Sequence, residues 1–121
     1  MLMTGNGTLQ EYLLADPSWP IAHKPRSISF SEAAALPLVY STVHDALVKH
    51  GRLPFQPKPE DVGKRTVLIL GGSSGTGSVA IQLAKKMGLK VGTTCSTKKV
   101  DFVKSLGADE VRCSAHLCLN W

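Results

Sequence analysis

An α/β fold built on a parallel βαβαβ sheet is what the sequence predicts, and three observations predict it. A short apolar run, Thr66 to Leu70 (TVLIL), leads into a glycine-rich stretch, Gly71 to Gly77 (GGSSGTG), and a helical apolar stripe follows. The order then repeats, with Lys90–Cys95 as a second strand, Lys98–Leu106 as a second helix and Asp109–Cys113 as the start of a third strand. Strands alternating with helices in this way make a parallel sheet with right-handed connections.

Each element has its own signal. Residues 1–26 carry Leu9, Tyr12, Leu13 and Leu14, read as a strand, before Asp16-Pro17-Ser18-Trp19-Pro20, whose prolines stop regular structure. Ser29 with Glu32 three positions on is a capping box, which starts a helix that Ala33 to Leu36 propagate and that Pro37 is expected to break. A second helix is predicted from about Leu38 to Lys49, with Val39, Val43, Ala46 and Leu47 on one face and Gly51 as its stop. Pro54, Pro57 and Pro59 make residues 52–63 a connecting loop. The continuous apolar run TVLIL suits a parallel strand covered on both faces. Beyond the glycines, Val79, Ala80, Leu83, Ala84 and Met87 mark one face of a helix that Gly88 ends, and Gly107 ends the next one.

Composition narrows the class. The 121 residues, 43% of them hydrophobic, suit one small globular core, and no apolar run approaches the ~18 residues that a membrane span needs. MLMTGNGTLQ lacks the basic start, apolar block and cleavage site of a secretory signal. With three irregularly spaced cysteines, Cys95, Cys113 and Cys118, this predicts a cytoplasmic protein with reduced thiols. The net charge of +5 is concentrated: between Val62 and Val100 there is no Asp or Glu, while Lys64, Arg65, Lys85, Lys86, Lys90, Lys98 and Lys99 fall there. An acid-free segment around a phosphate-type loop points to a small anionic ligand rather than to nucleic acid, although Lys85, Lys86 and Lys90 taken singly read as solvated surface lysines.

Two kinds of nucleotide loop join a strand to a helix through glycines. Gly72 and Gly77 have the separation of a triphosphate loop, but Ser78 stands where a lysine must reach the phosphates and Val79 where a magnesium-binding hydroxyl belongs. A dinucleotide loop asks only for small residues that let the chain turn, let a pyrophosphate approach and let helix and strand pack closely. Gly72 takes the first of these roles, Ser74 with Gly75 beside it the second, and Gly77 the third. An NAD site carries an acid about 20 residues further on to meet the adenosine ribose. Here that position falls in Ser96-Thr97-Lys98-Lys99, whose hydroxyls and ammoniums match a 2′-phosphate, so NADP(H) is favoured over NAD(H).

These residues resemble the medium-chain dehydrogenase/reductase superfamily, in its zinc-independent quinone oxidoreductase and enoyl reductase branch. GTLQEYLLAD, SEAAALPLVYSTVHDAL, VLILGGSSGTGSVAIQLAKKMG and FVKSLGADEV carry the resemblance from about Gly7 to Val111, and the hydroxyl-rich loop looks most like fungal trans-acting enoyl-reductase-like members. The resemblance implies a partial Rossmann-type sheet, preceded by the tail end of the family's catalytic domain and linking helices. It implies that Gly72, Ser73, Ser74, Gly75 and Thr76 line a pyrophosphate, with Gly77 packing helix on strand. Ser96 and Lys99, with Thr97 and Lys98 beside them, would meet the 2′-phosphate, and Thr42 would lie near the nicotinamide. A helix threonine bonded to its own backbone is the competing reading of Thr42. The implied reaction is hydride transfer from NADP(H) to a small electron-poor substrate, a quinone or activated double bond, without nucleic acid or membrane and with a homo-oligomer as an option for the full-length form.

No metal is implied. His23, His44, His50 and His116 are scattered, and Cys113 with Cys118 lacks the paired spacing of a structural zinc site. The chain is expected to comprise a remnant of the catalytic, GroES-like domain with linking helices (1–51), a loop (52–63), a partial NADP-binding domain (64–112) and a divergent tail (113–121). It reads as a fragment, because most of the family's catalytic domain before GTLQEYLLAD is absent and the closing VRCSAHLCLNW departs from the family pattern. Two functional classes stay open: a reductase intact only within a longer protein or assembly, and a nucleotide-binding or interaction fragment without independent activity, with a truncation that does not fold alone as a third outcome.

Overall fold

The structure, a computed structural model, describes residues 9, 11–16, 18 and 21–114. Two compact units divide the chain, Met1–Leu38 and Val39–Trp121.

In the first unit the expected strand around Leu9, Tyr12, Leu13 and Leu14 is absent among the described residues. Leu9, Tyr12 and Leu14 are exposed, and no described strand takes up the backbone N–H and C=O groups there. Pro17, Trp19 and Pro20 lie outside the described residues. The capping box forms as the sequence predicts: the Ser29 N–H donates to Glu32 Oε2 at 2.8 Å, and the Glu32 N–H donates back to Ser29 Oγ at 3.2 Å. The Ser29 N–H, and after it the Ser29 hydroxyl, which donates to the same Oε2 at 2.8 Å, hold the Glu32 carboxyl below its ordinary value of 4.5.

Helix α1, Phe30–His44, starts on that box and continues through Pro37, so the expected break does not occur. The ring removes the one N–H that would reach back to Ala33, and the helix runs on past it. The strong helix formers before it, Ala33 to Leu36, carry the chain past. Asp45–His50 then forms a π-helical turn, in which the Gly51 N–H donates to the Ala46 carbonyl five residues back at 2.8 Å. This wider turn changes the face: Val43 and Leu47 are buried as expected, while Ala46 is exposed. The left-handed step after the helix falls on Arg52 (φ 51), and Gly51 itself keeps φ −74. Among residues 52–63 the only helical turn is Pro59–Asp61.

The remainder is the predicted α/β unit. Strands β1 (Thr66–Ile69), β2 (Lys90–Cys95) and β3 (Glu110–Cys113) form one parallel sheet in the order β1-β2-β3, joined by helices α2 (Gly75–Lys86) and α3 (Val100–Ser105). Alternation along each strand puts Val67, Ile69, Val91, Thr93, Cys95 and Val111 on one face. There the apolar members of that set join Ala80, Ile81, Leu83 and Ala84 of α2, Val103 of α3, and Val43 and Leu47 in a single core. Ile81, off the expected helix face, is completely buried, and Val79, expected on it, is only half-buried. The sequence reading of β1 as covered on both faces is corrected: Leu68, on the opposite face, is 64% exposed, and Leu70 beyond the strand is 72% exposed. In this chain only the helix side of the strand is packed. Gly88 and Gly107 close α2 and α3, as the sequence predicts, and both do so in left-handed conformation, φ +73 and +104.

Where α2 meets the sheet the backbones touch. A Cβ on Gly77 would stand 2.3 Å from the Gly71 carbonyl oxygen and 2.8 Å from Gly72 Cα. No side chain fits there, so the helix begins directly against the end of β1.

At the other end of the sheet, Asp109 fastens three elements. Its carboxylate accepts from Lys85 Nζ at 2.9 Å on each oxygen and from the Val91 N–H at 2.7 Å, and its own N–H donates to the Val91 carbonyl at 2.9 Å. The Lys85 ammonium, and after it the Val91 N–H, hold this carboxyl below its ordinary value of 3.8.

Two outcomes follow. Gly77→Ala is expected to lower unfolding stability by about 1–3 kcal/mol through overpacking, whereas Gly75→Ala, whose Cβ would meet nothing within 4 Å, leaves it near the parent value; urea denaturation of both variants checks this. Because the Asp109 pKa is depressed on folding, its stabilisation is complete above the ordinary carboxylate range and is lost as pH falls through 3.8 toward the lower folded value. Asp109→Asn should therefore cost about 1 kcal/mol at neutral pH, the size of a hydrogen bond with a half-exposed ion pair, and flatten the acid limb of a stability-against-pH curve.

Candidate functional site

The site is built at the C-terminal edge of the parallel strands. Ladder pairing runs from Thr66 with Lys90 to Ile69 with Thr93, so β2 continues two residues beyond the end of β1. Thr94, the first of them, and Thr93 before it catch the chain as it leaves β1. Thr93 Oγ1 donates to the Ile69 carbonyl at 2.7 Å, the Gly71 N–H donates to Thr94 Oγ1 at 3.0 Å, and the Gly72 N–H donates to the Thr94 carbonyl at 2.8 Å. Both threonines are buried, and their hydroxyls are satisfied by the elbow they hold.

Within the elbow the glycines divide the work differently from the sequence reading. The left-handed turn is made by Gly71, at φ +70, a residue that reading assigned no role. Gly72, expected to make the turn, is instead excluded from carrying a side chain: its Cβ would lie 2.1 Å from Thr93 Oγ1 and 2.9 Å from Ile81 Cδ1. Gly77 packs helix on strand, in the role the sequence reading gave it.

Ser74 is the N-cap of α2. Its backbone is extended (φ −74, ψ 166), its Oγ accepts from the Gly77 N–H at 3.0 Å, and its carbonyl accepts from the Ser78 N–H at 2.9 Å. The Ser74 N–H is itself turned back onto the Gly71 carbonyl. That leaves the N–H groups of Ser73, Gly75 and Thr76 without an acceptor in the protein, among the hydrogen bonds of the described residues. Ser74, Gly75 and Thr76 are exposed, and Gly75 has open space where a side chain would be. Unpaired amides at a helix start, reached over a surface without bulky side chains, make a cradle for an anion.

The second predicted cluster follows β2 at the same edge. Ser96 leads into a 3-10 turn, Thr97–Lys99, and Ser96, Thr97, Lys98 and Lys99 are all exposed. Lys99 N–H donates to the Ser96 carbonyl at 2.9 Å, Lys99 Nζ lies 5.9 Å from the centre of the Phe102 ring, and the Thr97 hydroxyl lies 2.9 Å from Cys113 Sγ. The elbow and this turn are joined through Thr94, which bonds Gly71 and Gly72 two residues before Ser96.

Thr42 stands on the exposed side of α1, a separate element, and the bonds that build the elbow come from Thr93, Thr94 and Ser74. Lys85, read from sequence as a solvated lysine, is bound to Asp109, while Lys86 and Lys90 are exposed. Thr93, Thr94 and Asp109 were missed. The signal was present for the threonines, two adjacent hydroxyl residues inside the predicted strand KVGTTC. Among the described residues no three His, Cys, Asp or Glu side chains gather as a metal-binding group, and His116 and Cys118 lie outside them. No described helix is long and apolar enough to cross a membrane.

No protein-family model matches the chain. Among known proteins it is 44% identical over 105 residues to the 2-methylene-furan-3-one reductase of Solanum lycopersicum, a match covering 85% of this chain and 24% of that one. It is 41% identical over 105 residues to the trans-enoyl reductase fsa3 of a Fusarium species, covering 87% of this chain and 30% of the relative. Of solved structures, the quinone oxidoreductase of Thermus thermophilus, described also in complex with NADPH, superposes with a TM-score of 0.62 at 31% identity, over 78% of this chain and 29% of that one. The chain thus spans about a quarter to a third of the length of the relatives it matches. At this level of identity, and with a three-stranded parallel α/β sheet, the chain belongs to the medium-chain dehydrogenase/reductase superfamily, whose quinone oxidoreductases and enoyl reductases are its relatives and structural neighbours.

Proposed function

We propose that the chain carries the pyrophosphate and adenosine-phosphate portion of an NADP(H) site, and that the protein it serves is a zinc-independent, cytoplasmic reductase of quinones or activated double bonds. The observation that carries this reading is the elbow itself, with the Ser73, Gly75 and Thr76 amides unpaired at the start of α2 and the acid-free Ser96–Lys99 turn at the same sheet edge. When bound, the nicotinamide supplies the hydride. The residues of this chain bind and orient. Gly72, Ser73, Ser74, Gly75 and Thr76 hold the pyrophosphate, and Gly77 lets α2 approach closely enough to aim its amides at it. Ser96, Thr97, Lys98 and Lys99 take the 2′-phosphate through hydroxyl donors and compact ammonium charges. Thr42 lies toward the nicotinamide end, an assignment that rests on the family resemblance alone. The substrate is a small electron-poor molecule, in keeping with the reductases that the chain resembles.

A second reading is nucleotide binding without turnover, favoured by the exposure of Leu68 and Leu70 on the unpacked face of the sheet. Single-turnover loss of NADPH absorbance with an enone or a quinone separates the two readings.

On the NADP(H) reading, 2′,5′-ADP binds more tightly than 5′-AMP by about 10- to 100-fold, the value of one or two charge-assisted hydrogen bonds. Lys99→Glu abolishes the difference, and calorimetric titration of both nucleotides against both chains measures it. Equal affinities in the parent chain would remove the preference for NADP(H).

A further inference from the structure

Two thiols stand opposite each other beside this turn. Cys95 closes β2 and Cys113 closes β3, and they are ladder partners in the parallel sheet. Directly paired residues share a face, and neighbouring strands run about 4.7–4.9 Å apart, inside the 4.4–6.8 Å Cα span that a disulfide accepts. No disulfide joins them. They differ in access: Cys95 is 4% exposed within the core, whereas Cys113 is half-buried. Cys113 also touches the candidate site, since its Sγ lies 2.9 Å from the Thr97 hydroxyl, while Cys95 precedes Ser96 directly.

We propose that Cys95 and Cys113 are a redox-active dithiol that hydroperoxides close to a disulfide, and that closure withdraws Cys113 from Thr97 and weakens the hold of this turn on a nucleotide phosphate. The accessible Cys113 thiolate attacks one oxygen of the peroxide and the O–O bond breaks. The departing oxygen leaves as water or an alcohol after taking a proton, and Cys113 becomes a sulfenic acid. Cys95 thiolate then attacks the Cys113 sulfur, the S–S bond forms, and hydroxide leaves and is protonated to water. Two thiols lose one hydrogen each, and the peroxide takes up two electrons. A thiol reductant reopens the bridge by thiol–disulfide exchange. The coupling to phosphate rests on the nucleotide reading above; the formation of the disulfide does not.

The test uses the full chain bearing Cys118→Ser, treated with hydrogen peroxide and mapped by mass spectrometry of its peptides. A Cys95–Cys113 linked peptide, lighter by two hydrogens and reopened by dithiothreitol, is the expected result. Over-oxidation of Cys113 with Cys95 left as a thiol, or a link between copies, would overturn the proposal. So would a Cys113–Cys118 link in the unsubstituted chain. In the same samples 2′,5′-ADP affinity should fall about tenfold on oxidation and recover on reduction, and Cys95→Ser should be insensitive to this cycle. An unchanged affinity after the link has formed overturns the coupling. Failure of the reduced chain to distinguish 2′,5′-ADP from 5′-AMP counts against the nucleotide reading instead, while the peptide map still decides the thiol pair.

Discussion

The contact on which the rest of this structure depends is the backbone approach between the start of α2 and the end of β1. Gly77 lies against the Gly71 carbonyl and Gly72 Cα with no room for a single extra carbon. That proximity sets where α2 begins and therefore where its unpaired amides are presented. A helix held a side chain's width further away would keep its N-cap at Ser74, but the amides of Gly75 and Thr76 would no longer share the edge occupied by the turn after β2. Packing and binding are thus two consequences of one steric constraint.

The offset between the strands completes the arrangement. Because β2 runs beyond β1, Thr94 has no ladder partner on β1 and turns its hydroxyl and its carbonyl to the elbow. Thr93, one residue earlier, ties the Ile69 carbonyl from inside the core. Buried hydroxyls are costly when unsatisfied, and here their satisfaction specifies the path of the loop. The same short strand end then delivers Cys95 and Ser96 to the edge, so the elbow, the basic turn and the two paired thiols are collected by the register of a single strand.

Charge is distributed along this axis. Asp109 neutralises Lys85 at the N-terminal edge of the sheet, where it also pins the Val91 amide. Lys98 and Lys99 at the opposite edge are exposed, on a turn that contains no acid. The acid-free stretch from Val62 to Val100 is therefore less uniform in space than in sequence, since one of its lysines belongs to a structural ion pair contributed from outside it. What remains available at the elbow edge is positive, which suits a ligand carrying several phosphate charges.

By itself, the sequence determined the strand and helix order from Thr66 onward, the capping box at Ser29 and Glu32, and the helix stops at Gly88 and Gly107. These are local matters, governed by periodicity, by caps and by which residues tolerate a given backbone angle. Tertiary structure decided the rest. Pro37 was carried through α1 because the helix on either side outweighed one lost bond, and the π-helical turn moved Ala46 out of the expected stripe. Leu68 lay open because coverage of a strand depends on what packs over it, which an apolar run cannot state. The turn fell on Gly71 and the steric exclusion on Gly72 because Thr93 and Ile81, distant in sequence, occupy the space beside Gly72. Thr94 and Asp109 acquired their roles in the same way, through partners 23 and 18 residues away, and no local pattern records a contact made across that distance.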